Sequence, residues 1–150
     1  MVIEMFLEWV KDATVQQRVE VTWKLVDRLK MTTNSIDERE EIISSLTALC
    51  EDPSPEVRHA LALALGSDRG APRHIILALA NDAERISNVV LTQSTVIHDA
   101  ELIELVEFVG ENGQISVANR PWVSSKVCAS IANYGAKSAA ITLLKMKGLK

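Results

Sequence analysis

The sequence contains few of the residues on which most catalytic and metal-binding motifs depend. Aromatic residues make up only 4% of its 150 positions, and there are six glycines, three histidines and two cysteines. Cys50 and Cys128 lie far apart and outside any CxxC pattern, so they favour neither a zinc site nor a redox site. The chain has no HExxH, GxGxxG, P-loop or GxSxG motif, which are the marks of common hydrolases and nucleotide-binding proteins. We therefore expect no catalytic residues, no metal site and no cofactor.

Excess positive charge and long apolar runs are also missing. The net charge is −4 and the pI is about 5.4, which weakens any attraction to nucleic acid or to anionic membranes. Apolar runs such as 61–65 and 75–80 are far shorter than the ~18 residues that a membrane span requires. The N-terminal residues include Glu4 and Glu8, whereas a signal peptide begins with basic residues and an unbroken apolar stretch. We expect a cytoplasmic protein whose partner is neither nucleic acid nor a membrane.

Apolar residues at helical spacing are what the sequence does contain. Hydrophobic residues make up 47% of the chain, and most are small and aliphatic, which suits closely packed helices. Start and stop signals recur at short intervals and predict about ten helices and no strand. Among these signals, Ser35 opens a capping box, Gly66 ends a helix in the left-handed conformation, Asp99 caps a helix, and 110–113 forms a turn. Residues 89–91 look strand-like in isolation, but their neighbours predict a helix.

Internal similarity is the most informative feature of the sequence. Residues 48–52 (ALCED) and 78–82 (ALAND) each end one predicted helix and precede the next. Val57, Ile86 and Ile115 then follow one another at steps of 29 residues. Because one amphipathic helix pair cannot bury its apolar face alone, such pairs must stack on one another.

Residues 52–66 (DPSPEVRHALALALG) resemble the HEAT-like repeat shared with the phycobilin-lyase repeat group. Residues 71–80 (APRHIILALA) and 115–121 (ISVANRP) are similar to the DUF2336 family, a group of uncharacterised alphaproteobacterial proteins. This resemblance covers roughly residues 35–147 and implies no catalytic residues. Members of the family are often longer, so whether this chain is an N-terminal portion of a longer protein stays open at this point.

The repeat and the resemblance together predict the fold class and the domain organisation. We expect an all-α fold, a right-handed α-α superhelix of the HEAT/armadillo-like solenoid type with about five stacked helix pairs. The chain is then one HEAT-like helical repeat domain over residues 1–150. Its N-terminal capping helix pair occupies residues 1–34, and the repeats occupy residues 35–150.

Polar residues on the second helix of each predicted pair are the candidates for a binding surface. In stacked helix pairs the second helices line one surface, usually the concave one, along which these proteins bind partners. A solvated face is the alternative, although Asn and Gln are unusual choices for solvation alone. The candidate partner-binding residues are Arg58, Arg85, Asn88, Gln93, Asn119, Arg120 and Trp122.

Some of these residues have a structural interpretation beside the functional one. An arginine at the place of Arg58 in HEAT-like motifs commonly pairs with an acidic residue such as Asp52 or Asp82, and we favour this over contact with a ligand. Trp122 lies in a loop, where we favour packing under the next helix over exposure as a binding anchor. Trp23 lies in an apolar stripe and is expected in the core.

The leading functional hypothesis is a protein-protein interaction scaffold or adaptor that binds another protein along the concave face and has no catalysis of its own. One alternative is a nucleic-acid-binding HEAT-like repeat protein, which requires Arg58, Arg73, Arg85 and Arg120 to converge on one groove. Another is a lyase-like enzyme with a groove-bound substrate, which requires a deep pocket with convergent polar groups. The partner, the pathway and the oligomeric state stay open at this point.

Overall fold

The computed structural model describes residues 2–31 and 35–146, and within these ranges every regular element is an α-helix. The all-helical prediction is confirmed for this part, including residues 89–91, which lie inside a helix. None of the helices described is long and apolar enough to cross a membrane. The helices are α1 (Val2–Asp12), α2 (Val15–Leu29), α3 (Ile36–Leu49), α4 (Pro55–Leu65), α5 (Arg73–Ala80), α6 (Glu84–Gln93), α7 (Asp99–Phe108), α8 (Glu111–Ala118), α9 (Ser125–Tyr134) and α10 (Lys137–Met146).

Short polar side chains begin several of these helices. The Thr14 hydroxyl accepts a hydrogen bond from the backbone amide of Gln17, while the Gln17 side chain accepts one from the backbone amide of Thr14. These bonds satisfy two N–H groups at the start of α2 that have no partner within the helix. Ser35 caps α3 as expected, because its hydroxyl accepts the amide of Glu38 at 3.1 Å. The Glu38 carboxylate accepts from Arg28, which joins the start of α3 to α2.

Two glycines play a different part from the one that the sequence predicted. Gly66 follows α4 in the right-handed helical region, with φ −54° and ψ −37°, so the left-handed cap is wrong. A Cβ at this position would lie 2.7 Å from the carbonyl oxygen of Ala62, so close approach selects glycine here. The predicted turn at 110–113 is also wrong, because α8 begins at its second residue. Gly113 lies inside that helix, where a Cβ would be 2.7 Å from the Cβ of Val109.

The N-cap of α7 lies one residue earlier than the sequence predicts. His98 is the N-cap residue, and its amide donates to the Glu101 carboxylate at 2.8 Å. This hydrogen bond is the main reason that the pKa of Glu101 lies below its ordinary value, with Arg73 adding to the effect. Asp99 is therefore the first residue inside the helix, where its charge favours the helix N-terminus.

The even-numbered helices form one continuous layer, in which α2 packs against α4, α4 against α6, α6 against α8, and α8 against α10. We call this the α2–α10 layer. Among the other helices, α1 packs on α3 and α7 on α9, while α3 joins α2 and α5 joins α6. Both sets contribute to the core, whose fully buried side chains include Leu46, Leu61, Leu65, Ile75 and Leu79.

Trp23 is not in the core, so that prediction is wrong. Its side chain is 42% exposed, while the neighbouring Thr22 is completely buried. The Thr22 hydroxyl donates to the carbonyl of Arg18, one turn earlier, at 2.7 Å, so a buried polar group is satisfied within the helix. The buried face of α2 thus runs through Thr22, Val26 and Leu29 rather than through the tryptophan.

Candidate functional site

Two arginine–aspartate bridges join consecutive helices of the α2–α10 layer. Arg18, the fourth residue of α2, donates from Nε and Nη2 to the Asp52 carboxylate at 2.8 and 3.1 Å. Arg58, the fourth residue of α4, donates in the same way to Asp82 at 2.8 and 3.3 Å. Each arginine also bonds through Nη1 a carbonyl in the turn before its own helix, at Ala13 and Asp52 respectively. The expected pairing of Arg58 with Asp82 is therefore present.

Both bridges are largely removed from water. The side chains of Arg18 and Asp52 are 13% and 4% exposed, and those of Arg58 and Asp82 are 19% and 14% exposed. Bidentate hydrogen bonds between ions are strong and geometrically specific, and removing one partner leaves a buried charge without compensation. The Arg58 guanidinium is thus fully engaged inside the fold rather than presented to a partner.

The fourth residue differs in the next two helices of the layer. In α8 it is Gln114, whose Nε2 donates to the Val106 carbonyl at 3.0 Å and whose Oε1 accepts the Ala136 amide at 2.6 Å. Gln114 therefore bridges α8 to the turn before α10, as the arginines bridge their neighbours. In α6 the fourth residue is Ser87, whose hydroxyl bonds the Glu84 carbonyl of its own helix. A serine is too short to reach the turn before α8.

Arg120 is buried, although the sequence predicts it on a partner-binding surface. The residue is 9% exposed, and its guanidinium donates to the carbonyls of Leu91, in the last turn of α6, and of Ser94, directly after that helix. Burial lowers the pKa of Arg120, and the charge of Asp99 partly offsets this. The guanidinium can reach these carbonyls because the turn after α8 lies against the turn after α6.

Trp122 stands beside this buried arginine, and its side chain is 74% exposed. The favoured interpretation, packing under the next helix, is therefore wrong, and the exposed alternative fits. A cavity of about 320 Å³ lies next to it between the residues that follow α6 and those that follow α8; we call it the Trp122 cavity. Gln93 and Arg120 also line it, so three of the seven candidate residues meet here.

The other candidates are dispersed. Arg85 is exposed on α6, with Nη2 3.4 Å from Nδ1 of His59 on α4. Burial and the charge of Arg85 lower the pKa of His59. Asn119, which follows α8, is half-buried. Asn88 lines a separate cavity of about 230 Å³ beside Ser87, near the start of α6. The predicted binding surface is therefore divided, with Arg85 and Asn88 near the start of α6 and Gln93, Arg120 and Trp122 near its end.

Two observations concern metal binding and the reactivity of a cysteine. No group of three His, Cys, Asp or Glu side chains within residues 2–31 and 35–146 is arranged to hold a metal ion. Burial raises the pKa of the Cys50 thiol to about 12, and the charges of Asp82 and Glu51 add to this. Because the thiolate is the nucleophile, Cys50 is a poor one at neutral pH.

Sequence reasoning missed Arg18 and Gln114, which are the structural counterparts of Arg58. Arg18 follows the turn at 13–14, which carries none of the proline and aspartate signals that mark the start of α4. The sequence predicts a turn over 110–113 and so places Gln114 outside the interior of a helix, whereas α8 begins at Glu111. Counting from the true helix starts, the residue equivalent to Ile86 is Gly113 rather than Ile115.

The structure defines an all-α protein with a layer of five helices, in which two ion-pair bridges and one amide bridge tie neighbouring helices together. Residues 86–150 match the family model DUF2336, described as an uncharacterised protein conserved in bacteria. The match begins at the third residue of α6, contains Gln93, Arg120 and Trp122, and supports the resemblance to that family seen in the sequence. No curated protein and no solved structure matches the chain.

Proposed function

We propose that this protein is an interaction adaptor, without catalysis of its own, that binds a partner protein through Trp122 and the Trp122 cavity. The observation that carries the proposal is the 74% exposure of a tryptophan at the edge of a cavity of about 320 Å³. Protein interfaces are anchored by a few tryptophan, tyrosine and arginine residues that lie in or beside pockets. The hydrogen bonds of Arg120 fix the loop that carries Trp122, so little conformational entropy is lost on binding.

The proposal extends to the architecture that presents this site. We expect a right-handed α-α superhelix of HEAT/armadillo-like type, in which the α2–α10 layer holds the second helix of each pair and forms the concave face. The consecutive contacts along the layer and the repeated bridges at the fourth helical residue support this arrangement. The ends of α6 and α8 then meet at one edge of the layer, where the Trp122 cavity lies.

Nucleic acid is a less suitable partner, because three of the four arginines that it would need are engaged within the protein, and the fourth, Arg85, is exposed. The guanidinium of Arg58 is bonded to Asp82, and that of Arg73 to Glu101 and the Val96 carbonyl. The guanidinium of Arg120 is buried on backbone carbonyls. If these arginines bound phosphate groups, they would have to give up their present hydrogen bonds. The net charge of −4 also weakens the general attraction to nucleic acid.

A lyase-like enzyme is also less well supported. Catalysis needs ionisable groups with suitable pKa values that converge on a substrate pocket. The charged residues among those that line the Trp122 cavity are Asp99 and Arg120. The guanidinium of Arg120 is held by backbone carbonyls and therefore has a structural role. Because arginine stays protonated at neutral pH, it cannot serve as a general acid or base there.

Capture of a partner from an extract of the native cells, followed by binding of the purified partner, tests the adaptor role. We expect Trp122→Ala to weaken binding by about 2 kcal/mol, or roughly thirtyfold, because the anchor would be lost. Trp23→Ala is the matched control, since Trp23 is also an exposed tryptophan but lies on α2. The control should bind as the unchanged protein does.

Either of two results would contradict the adaptor proposal. One is that Trp122→Ala and Trp23→Ala bind the partner equally well. The other is that Trp122→Ala weakens binding only because the protein has unfolded, which circular dichroism and the free energy of unfolding would reveal. We expect the free energy of unfolding of Trp122→Ala to stay within about 0.5 kcal/mol of the original, as is usual for surface positions.

A further inference from the structure

The α6–α8 contact has a cavity where the neighbouring contacts have a long polar side chain. Arg18, Arg58 and Gln114 are each the fourth residue of their helix, and each reaches the turn before the next helix of the layer. The corresponding residue of α6 is Ser87, and the cavity of about 230 Å³ lies between it and the turn before α8. We call this the Ser87 cavity. Its volume is below that of common drug-sized pockets and suits one long side chain.

The groups that line the Ser87 cavity favour a positive charge. The ends of α5 and α7 meet the starts of α6 and α8 here, so the positive and negative ends of the helix dipoles offset one another and the charged side chains decide the sign. The carboxylates of Asp82 and Glu84 lie at its wall, and no lysine or arginine is among the described residues that line it. Asp82 already bonds Arg58, and Glu84 bonds Asn112, but a carboxylate has lone pairs for further donors.

The side-chain oxygen of Asn88 is a second, independent feature that favours a hydrogen-bond donor in this cavity. This oxygen, Oδ1, is buried and has no hydrogen-bond partner among the described residues, and Asn88 lines the Ser87 cavity. Buried polar atoms without a partner are rare, because leaving one costs about 1–3 kcal/mol. Phe108 lies at the same cavity and is 84% exposed, so its ring is available to cover the stem and the charge of an entering cation.

We propose that the Ser87 cavity receives the side chain of an arginine from the partner protein, in the place that Arg18 and Arg58 occupy at the preceding contacts. The partner's guanidinium donates to the carboxylates of Asp82 and Glu84 and, after the Asn88 side chain rotates towards the cavity, to Asn88 Oδ1, while Phe108 packs on its alkyl stem. The inference rests on the proposed adaptor role, and it adds a second recognition point at the opposite end of α6 from Trp122. A partner segment that engages both points would carry an exposed arginine.

Titration of the full chain with N-acetyl-arginine amide, followed by ¹⁵N–¹H NMR, tests this binding without any partner. We expect saturable shifts at the amides of Asn88, Gly110 and Gly113. The neutral analogue N-acetyl-citrulline amide should bind about tenfold more weakly, because it has a similar shape and lacks the charge that strengthens these hydrogen bonds. Shifts that do not saturate, or equal binding of both probes, would overturn the proposal.

Two variants sharpen the test. Ser87→Arg should fill the cavity from within and abolish binding of the arginine probe, whereas Ser44→Arg adds the same charge on an exposed face of α3 and should leave binding unchanged. Glu84→Gln should weaken binding several-fold even if Ser87→Arg fails to fold. Unaltered binding by Glu84→Gln and by folded Ser87→Arg would contradict the assignment of the site.

The outcome is separable from that of the adaptor role. Trp122→Ala should bind the arginine probe normally, because the two cavities share no lining residue. If the probe fails to bind while capture depends on Trp122, the Ser87 cavity is not an arginine site and the adaptor role stands. If the probe binds while capture does not depend on Trp122, the assignment of Trp122 as the anchor is wrong.

Discussion

The α4–α6 contact and the α6–α8 contact both join consecutive helices of the α2–α10 layer. They differ in whether a side chain bridges the two helices, and we call a bridged contact closed and an unbridged one open. At the first, Arg58 spans the contact and fixes Asp82 in the turn before α6. At the second, Ser87 bonds within its own helix and a cavity remains. Both contacts are made by consecutive helices of one layer, so the difference lies in the side chain at one helical position. Closing a contact with a buried ion pair gives rigidity, whereas leaving it open gives room for a ligand.

The comparison predicts that stability is concentrated in the closed contacts. Asp52 is 6% exposed and accepts two hydrogen bonds from Arg18 and one from the amide of Ser54. Asp52→Ala would leave the Arg18 guanidinium buried without its counter-ion, so we expect the free energy of unfolding to fall by about 3–5 kcal/mol. Urea denaturation followed by circular dichroism measures this. Asp27→Ala, on the exposed face of α2, should change it by less than about 0.5 kcal/mol.

A second variant asks whether the geometry of the bridge matters as well as its charge. Arg58→Lys keeps the charge but cannot make the two-pronged bond to Asp82, so we expect a loss of about 2–3 kcal/mol in the free energy of unfolding. Arg28→Lys is the matched control, because the Arg28 and Glu38 side chains are 56% and 37% exposed. An exposed pair of this kind contributes less than about 1 kcal/mol. Equal losses in both variants would show that the buried bridge is no stronger than a surface pair.

The amide bridge of α8 should be weaker than the ionic bridges. Gln114→Met keeps the length of the side chain but leaves the Ala136 amide and the Val106 carbonyl without their partner. We expect a loss of about 1–2 kcal/mol and faster hydrogen exchange at the amide of Ala136. Gln16→Met, on the exposed face of α2, serves as the control. Unchanged exchange at Ala136 would mean that the bridge does not hold the turn before α10.

The helices could be predicted from the sequence because their signals are local. Caps such as Ser35 and apolar residues at helical spacing act within one turn, and the all-helical prediction is confirmed in the described part of the chain. The ends were less accurate where a residue serves two purposes. The sequence predicts a left-handed cap at Gly66, yet the residue is right-handed, and a Cβ there would collide with the carbonyl oxygen of Ala62 in the last turn of α4.

The candidate site could be predicted only in part, because its side chains act over long separations in sequence. Arg120 reaches carbonyls 29 and 26 residues earlier, and nothing near it in the chain indicates this. Trp122 and Gln93 meet only because the ends of α6 and α8 are adjacent. The ion pair of Arg58 could be predicted from the sequence, because the repeated aspartates at 52 and 82 indicate an acidic partner.

The smallest effect concerns a second link across the closed α4–α6 contact, between His59 and Arg85. Burial and then the charge of Arg85 lower the pKa of His59, so the folded protein favours the neutral ring. The resulting stability is present above the pKa of His59 in the unfolded chain, and it is lost as the pH falls through the lower pKa of the folded state. Arg85→Gln should therefore raise the pKa of His59, although burial keeps it below the ordinary value. NMR titration of the imidazole measures the shift, and Arg69→Gln, at an exposed loop position, should leave it unchanged. A His59 pKa that is the same in all three proteins would show that Arg85 does not contribute to this contact, and the Arg58 bridge alone would then distinguish it from the open one.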